Sequence, residues 1–455
     1  MSAIPSADLA ADLPAALPSG SPRPRRFGAL RQSPYFASVV AGLAAMLTYT
    51  CMYAFRKPFS AATFPGEQLA GMDYKAWLVM AQVLGYACSK FIGIRVIAEM
   101  RRVQRWQPLL LLIGIAWLAL LGFALVPRPW NIVFLFFNGL PLGMIWGVVF
   151  SYLEGRRATE LMGTILASSL IFATGLVKTV GRFLLFSGVN EFWMPFCTGL
   201  IFVLPLLACV AILERLPEPS AADCAARGVR TPMPKAERGR FLRRFLPGLA
   251  LVIVCYIGLT VVRDFRDSFE AELLTEFGYA KRVGLFVQIE TPIAILVLLA
   301  TASLIRVRDN LRSLMIIHAL MIAGVLCAGL STLAFRAGLL PPLWWLGLVG
   351  LGLYLAYVPF NCAFAERLIA TFRGSANVGF LIYVCDTFGY LSSVAVILLK
   401  ESGGLHLSWS RFFGDCVLLL ALFGSVSLLA SARYFRRKAQ RELGPDTPAI
   451  IQGTA

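Results

Sequence analysis

Charge is scarce in this chain, and acid is scarcer than base. Only 15% of the 455 residues are Asp, Glu, Lys or Arg, where a soluble protein carries nearer about a quarter. The 25 acids stand against 42 bases, and only two histidines, His318 and His406, occur. There is no HExxH, no GxSxG with triad partners and no nucleotide loop, which argues against a membrane-embedded enzyme. The ten cysteines are scattered with no CxxC pair. Neither a disulfide framework nor a zinc site is indicated, so they read as small apolar packing residues. No cofactor and no metal is expected.

What the chain has in excess is apolar residue: 58% of the total, with a mean hydropathy of +0.73. Apolar runs near the roughly 20 residues needed to cross a hydrocarbon core recur along most of the chain. Twelve candidates follow: 35–56, 74–98, 107–126, 130–153, 161–186, 193–213, 246–266, 283–304, 312–335, 342–364, 375–399 and 410–432. The expectation is an all-α, multi-pass protein of the cell membrane, with the lipid bilayer as its main partner and no assembly beyond a monomer indicated.

The net charge of +17 raises nucleic acid as a partner, but the bases sit in short segments between apolar runs, as membrane orientation requires. With the N-terminus inside, 27 of the 42 bases fall on the cytoplasmic side and seven opposite. Adding or deleting one span scrambles that bias, so twelve spans with both termini cytoplasmic is favoured. Residues 1–34 read as a disordered cytoplasmic tail without a cleavable signal. A first bundle of six spans covers 35–213, a Pro-rich basic linker 214–245, a second bundle 246–432 and a tail 433–455. The halves echo each other: "GLPLGMIWGVVFSYLEGR" (139–156) and "GLGLYLAYVPFNCAFAER" (350–367) align at an offset of 211. Parallel duplication of six spans is the plan of the major facilitator fold, with substrate held near the midplane between halves.

Eight bases remain within spans or at their ends: Arg56, Lys57, Lys90, Arg95, Lys178, Arg182, Arg263 and Arg266. A cation at the bilayer centre costs at least about 2.5–3.5 kcal/mol, so the default inference is a polar cavity facing the bundle interior. Snorkelling to the interface is the competing reading for those near helix ends, Arg56, Lys57 and Arg95 above all. Lys90 lies too deep for easy escape, and Lys178 and Arg182 share one face of span five. Glu290 in "FVQIETP" needs a partner, for which Arg56 and Lys57 are available. Asp386 in "YVCDTFGY" reads as a structural pairing acid. Tyr53, Tyr86, Tyr357, Tyr383 and Asn361 are candidates for neutral hydrogen bonds or for packing. Surplus cations without acids suit an anionic solute, and guanidinium forks suit phosphate.

At these residues the chain resembles the organophosphate:phosphate antiporters of the major facilitator superfamily. The resemblance rests on "YAFRKPFS" (53–60), "YACSKFIG" (86–93), "GLPLGMIWG", "QIETP" and "GSANVGFLIYVCDTFGYLSS" (374–393). It implies Arg56 as the phosphate-binding arginine of the first half, and Arg263 as that of the second, with Arg266 as the alternative. It also implies that Lys57 bridges to Asp267, that Lys90 lines the pore, and that Glu290 competes with substrate for the cations. The family's span-five histidine falls near Phe172 and has no equivalent here. The expectation is alternating-access transport of a small, phosphorylated or otherwise anionic solute, with exchange against phosphate implied by resemblance alone. Proton-coupled transport of another organic anion, and a transport-inactive sensor or scaffold, are the alternatives.

Overall fold

The computed structural model describes residues 34–99, 105–153, 159–216, 235–372, 378–402 and 407–443. The expected N-terminal tail up to residue 33, the linker over 217–234, His406 and the last twelve residues lie outside them, as do the side chains of Arg95 and Tyr383. Twelve spans follow one another: α1 (Pro34–Tyr53), α2 (Tyr74–Glu99), α3 (Trp106–Leu125), α4 (Ile132–Ser151), α5 (Thr159–Phe186) and α6 (Met194–Glu214). The second six are α7 (Lys235–Glu276), α8 (Leu285–Ser303), α9 (Asn310–Arg336), α10 (Pro342–Thr371), α11 (Val378–Ser402) and α12 (Trp409–Leu443). Nine of them meet the length and hydropathy of a membrane span over their described residues. An even number of crossings brings the start of α1 and the end of α12 to one end of the bundle.

Two spans are longer than their apolar runs. α7 has 42 residues and α12 has 35, because helix propagation needs only backbone bonds and continues where hydropathy stops. At the linker end α7 starts at Lys235, eleven residues before the apolar run. At its other end it carries the charged segment "RDFRDSFEAE" and bends at Phe269, whose φ of −114° and ψ of 16° are not helical. Two further spans are interrupted: α4 breaks between Leu142 and Ile145, just after Pro141, and α10 contains a π-helical turn over Phe360–Phe364, just after Pro359. A proline removes an i→i−4 bond, which accounts for the loosening at each place.

The pattern of burial is inverted relative to a water-soluble protein. Leu111, Leu118, Leu204, Leu299, Leu330 and Leu422 are each more than 55% exposed, whereas Arg56, Lys90, Lys178, Arg266 and Glu290 are buried. Apolar side chains therefore coat the outside and charge collects within. Within each half, helices approach closely at glycines: a Cβ on Gly352 (α10) would lie 2.4 Å from Gly324 O (α9), and the reverse contact is equally short. Between halves, α2 packs on α11 and α5 on α8. Connecting α1 to α2, a 3₁₀ turn (Pro58–Ala61) leads to a small hairpin, β1 (Gln68–Leu69) with β2 (Met72–Asp73). Ala70 and Gly71 form its two-residue loop, both at positive φ, as a tight hairpin turn requires.

The glycine contacts give a direct stability test. Gly352→Ala should destabilise by about 1–3 kcal/mol through overpacking, whereas Gly114→Ala in α3, with nothing within 4 Å of its added methyl, should be neutral or stabilising by up to about 1 kcal/mol. Thermal unfolding of the two purified variants in detergent distinguishes them.

Candidate functional site

The centre of the molecule is organised by a division of charge. Among the described residues, all six buried acids, Asp264, Asp267, Glu270, Glu272, Glu290 and Asp386, belong to the second half. Six of the eight buried cations, Arg56, Lys57, Lys75, Lys90, Lys178 and Arg182, belong to the first, which buries no acid among the described residues. Buried charges persist only when paired and hydrogen-bonded, so each half depends on the other for neutralisation.

All four lysines of the first half meet an acid of the second. Lys178 Nζ lies 2.8 Å from Glu270 Oε2, and Lys75 Nζ 2.7 Å from Glu272 Oε1 while also donating to Ser60 O at 2.9 Å. Lys90 Nζ lies 3.0 Å from Asp386 Oδ2, bridging α2 to α11. Lys57 Nζ lies 3.8 Å from Asp264 Oδ1. The expected Lys57 partner was Asp267, one turn further along α7; Asp267 instead accepts a hydrogen bond from Tyr354 at 3.0 Å. Arg182 reaches both halves through carbonyls, donating to Ala61 O at 3.1 Å and Ala280 O at 2.6 Å, so it clamps loops instead of lining a pore.

Glu290 does not pair with Arg56 or Lys57. Arg266 Nη1 donates to Glu290 Oε1 at 2.5 Å, and Arg266 also approaches Glu270 at 3.7 Å and donates to Leu346 O at 3.3 Å. These partners lie nearer because α7 and α8 belong to one half, and with both charges fully buried the pair is internal to it. Arg266 is thereby committed to structure. Asp386 has the expected pairing role and a second donor, the Tyr256 hydroxyl at 2.5 Å.

Two cations remain, one from each half. Arg56 and Arg263 have no carboxylate within 4.0 Å among the described residues and their guanidinium groups donate no hydrogen bond there; the Nε of each is buried without an acceptor. Each lies on an aromatic face: Arg56 is 3.9 Å from the centre of the Tyr86 ring, Arg263 is 4.2 Å from that of Tyr357. Such faces stabilise a guanidinium without neutralising it. The two groups share neighbours, since Tyr53 and Tyr390 lie within electrostatic reach of both. Tyr390 meets Tyr86 edge-on across the halves at 5.0 Å, and Tyr357 stacks on Tyr256 at 5.2 Å. Asn361 donates to Tyr357 O at 3.0 Å, holding the π-helical turn beside the ring.

Arg56 is presented by a deliberately broken helix end. Pro58 follows the last turn of α1 and cannot continue its bonding, and Arg56 N and Lys57 N both turn back to Tyr53 O at 3.0 and 2.9 Å. The freed carbonyls of Phe55 and Arg56 accept from Asn138 Nδ2 and Gln82 Nε2, each at 2.8 Å, and those two amides bond each other at 2.7 Å. Neither amide was among the expected site residues; nor were Lys75, Asp264, Glu270, Glu272, Tyr256 and Tyr390. The three-residue spacing of Asp264, Asp267 and Glu270 on α7 was the available signal for an acidic helix face.

The fold is that of the major facilitator transporters. A bacterial homologue of the human lysosomal transporter Spinster superimposes with a TM-score of 0.56 at 15% identity, covering 91% of this chain and 99% of that one. A D-xylose–proton symporter gives 0.53 at 16%, with 86% and 97% covered. A bacterial homologue of the human drug peptide transporters PepT1 and PepT2 gives 0.58 at 11%, with 90% and 100% covered. No curated protein matches in sequence. A family described as of unknown function, DUF5690, matches residues 58–438.

Two outcomes follow from the ion pairs. Lys75→Met should cost about 3–5 kcal/mol by stranding Glu272, and Lys75→Met/Glu272→Met should recover most of it; a double-mutant unfolding cycle checks this. At the hairpin, Asp73 N donates to Glu401 Oε2 at 2.9 Å. Burial, and then Glu401, push the Asp73 carboxyl above its ordinary value, against the pull of Lys400. The folded chain thus holds this proton more tightly than the unfolded chain. That contribution is complete at low pH and is lost as pH rises through the raised value. Asp73→Asn should therefore flatten the fall in unfolding temperature above the ordinary carboxylate range, and unchanged slopes would contradict the assignment.

Proposed function

The chain belongs to the DUF5690 family, and from that premise we propose that it is a secondary transporter carrying a small organic oxyanion, preferably a phosphate ester, by alternating access. The observation that supports this reading is the pair Arg56 and Arg263: two buried guanidinium groups, one per half, with no acid at ion-pair distance on either. Every other buried cation among the described residues has a carboxylate or carbonyl partner within the protein. An unpaired buried charge is costly, by several kcal/mol, and a bound oxyanion would remove the cost for both groups together.

Two guanidinium forks suit a tetrahedral oxyanion, because a phosphate monoester presents three free oxygens to donors arriving from two sides. Tyr53, Tyr86, Tyr357 and Tyr390 would receive the organic remainder with both an apolar face and a hydroxyl. Lys57 and Asp264 act as a lock beside this site, and Lys75–Glu272 and Lys178–Glu270 complete a closed rim at the end opposite the termini, which the charge bias of the loops makes the external end.

Alternating access then has a physical driver. Opening the external end must separate three inter-half ion pairs, and substrate bridging Arg56 to Arg263 favours whichever state brings the halves together around it. An empty occluded carrier leaves two like charges desolvated, while a loaded one does not. Return without an anion is thus disfavoured, which makes exchange against inorganic phosphate the expected mode.

Proteoliposomes loaded with inorganic phosphate and offered labelled phosphate and a panel of phosphate monoesters test this. Uptake should fall by about 100-fold or more in Arg56→Gln and in Arg263→Gln, the loss expected for a charge-assisted fork of roughly 3 kcal/mol, with normal insertion of both variants. Uptake undiminished in either variant, or no phosphate compound carried by the unaltered protein, would refute the reading.

A further inference from the structure

Away from Arg56 and Arg263, a second cluster of cations lies at the end of the bundle where α12 ends. The exposed face of α12 is apolar through Leu422 (62% exposed), Val426 (62%) and Leu429 (44%). The same face then continues with Arg433, Arg437 and Arg441, spaced i, i+4, i+8, all exposed. These arginines line an open groove of about 510 Å³ that runs from Ala430 to Glu442, with Tyr434 and Lys438 on its other wall.

The groove's one acid is already engaged. Glu442 accepts from Arg244 of α7 at 2.6 Å and from Lys438 at 3.0 Å. Tyr434 OH donates to Arg244 O at 3.2 Å, and Lys438 lies over the Phe245 ring at 5.4 Å, so the wall is fixed to α7. Arg433, Arg437 and Arg441 have no carboxylate within 4.0 Å among the described residues.

We propose that this groove is a binding site for an anionic phospholipid of the leaflet on the side of the termini. The phosphate sits among Arg433, Arg437 and Arg441, and an acyl chain lies along Leu422, Val426 and Leu429. A lipid suits this surface better than an acidic protein because only an amphiphile covers both a cationic groove and the apolar strip that leads directly from it into the bilayer. Near a membrane each basic residue contributes attraction to anionic headgroups, and arginine adds forked bonding to phosphate. This assignment is independent of what the chamber carries.

The test uses the full-length protein in neutral detergent, titrated separately with phosphatidylglycerol, phosphatidylcholine and inorganic phosphate, and read by native mass spectrometry and by the unfolding temperature. Phosphatidylglycerol should be retained and raise the unfolding temperature, and the other two should do neither. Arg437→Gln should weaken phosphatidylglycerol retention about fivefold, the contribution of one basic residue at a membrane surface. Arg308→Gln, which removes the same charge from the exposed α8–α9 connection at the same end, should leave it unchanged. Equal retention of the two lipids, a shift reproduced by inorganic phosphate alone, or equal loss in both variants would overturn the site.

Discussion

The interaction on which this structure turns is the meeting of cations from one half with acids from the other. In lipid there is no hydrophobic force to bring helices together, so packing and polar contacts must do it. Here the polar contacts are divided so that neither half is electrically complete. Lys57, Lys75, Lys90 and Lys178 each meet an acid across the interface, three of these acids on the outer turns of α7. The closeness of the halves is thereby set by ion pairs between them, which suits the proposed alternating access.

That division also isolates the two groups that matter most for the proposed chemistry. Arg266 looks equivalent to Arg263 in sequence but differs wholly in circumstance: three residues along the helix rotate it towards Glu290, whose carboxylate takes its charge. Arg263 and Arg56 meet tyrosine rings instead. An aromatic face holds a cation in place while leaving its N–H donors uncommitted. The Gln82–Asn138 amide pair has a related role, fixing the broken end of α1 through its carbonyls and leaving the Arg56 side chain uncommitted.

Much of the fold was legible in the sequence because bilayer thickness imposes a length on apolar runs, and all twelve candidates coincide with helices. The true length of α7 was not legible, since a helix that continues past the hydrocarbon leaves no hydropathic trace. For the site, burial was easier to read than partnership. Lys90, Glu290 and Asp386 were recognisable as buried charges from their depth within apolar runs. Which turn of α7 faces Lys57 depends on how two helices cross, so Asp264 and Asp267 could not be separated by spacing. Lys75, at the first turn of α2, resembled an ordinary loop charge until the hairpin and the end of α7 were seen to enclose it.

The central claim is that one oxyanion occupies the space between two guanidinium groups drawn from opposite halves. Solid-state NMR on protein labelled with nitrogen-15 at arginine, with phosphate bound, measures the phosphorus–nitrogen distances directly. The account predicts guanidinium nitrogens within about 4 Å of phosphorus from two arginines at once, with one set of couplings vanishing in Arg56→Lys and the other in Arg263→Lys. Couplings that persist in both variants, or none at all with phosphate bound, would contradict it.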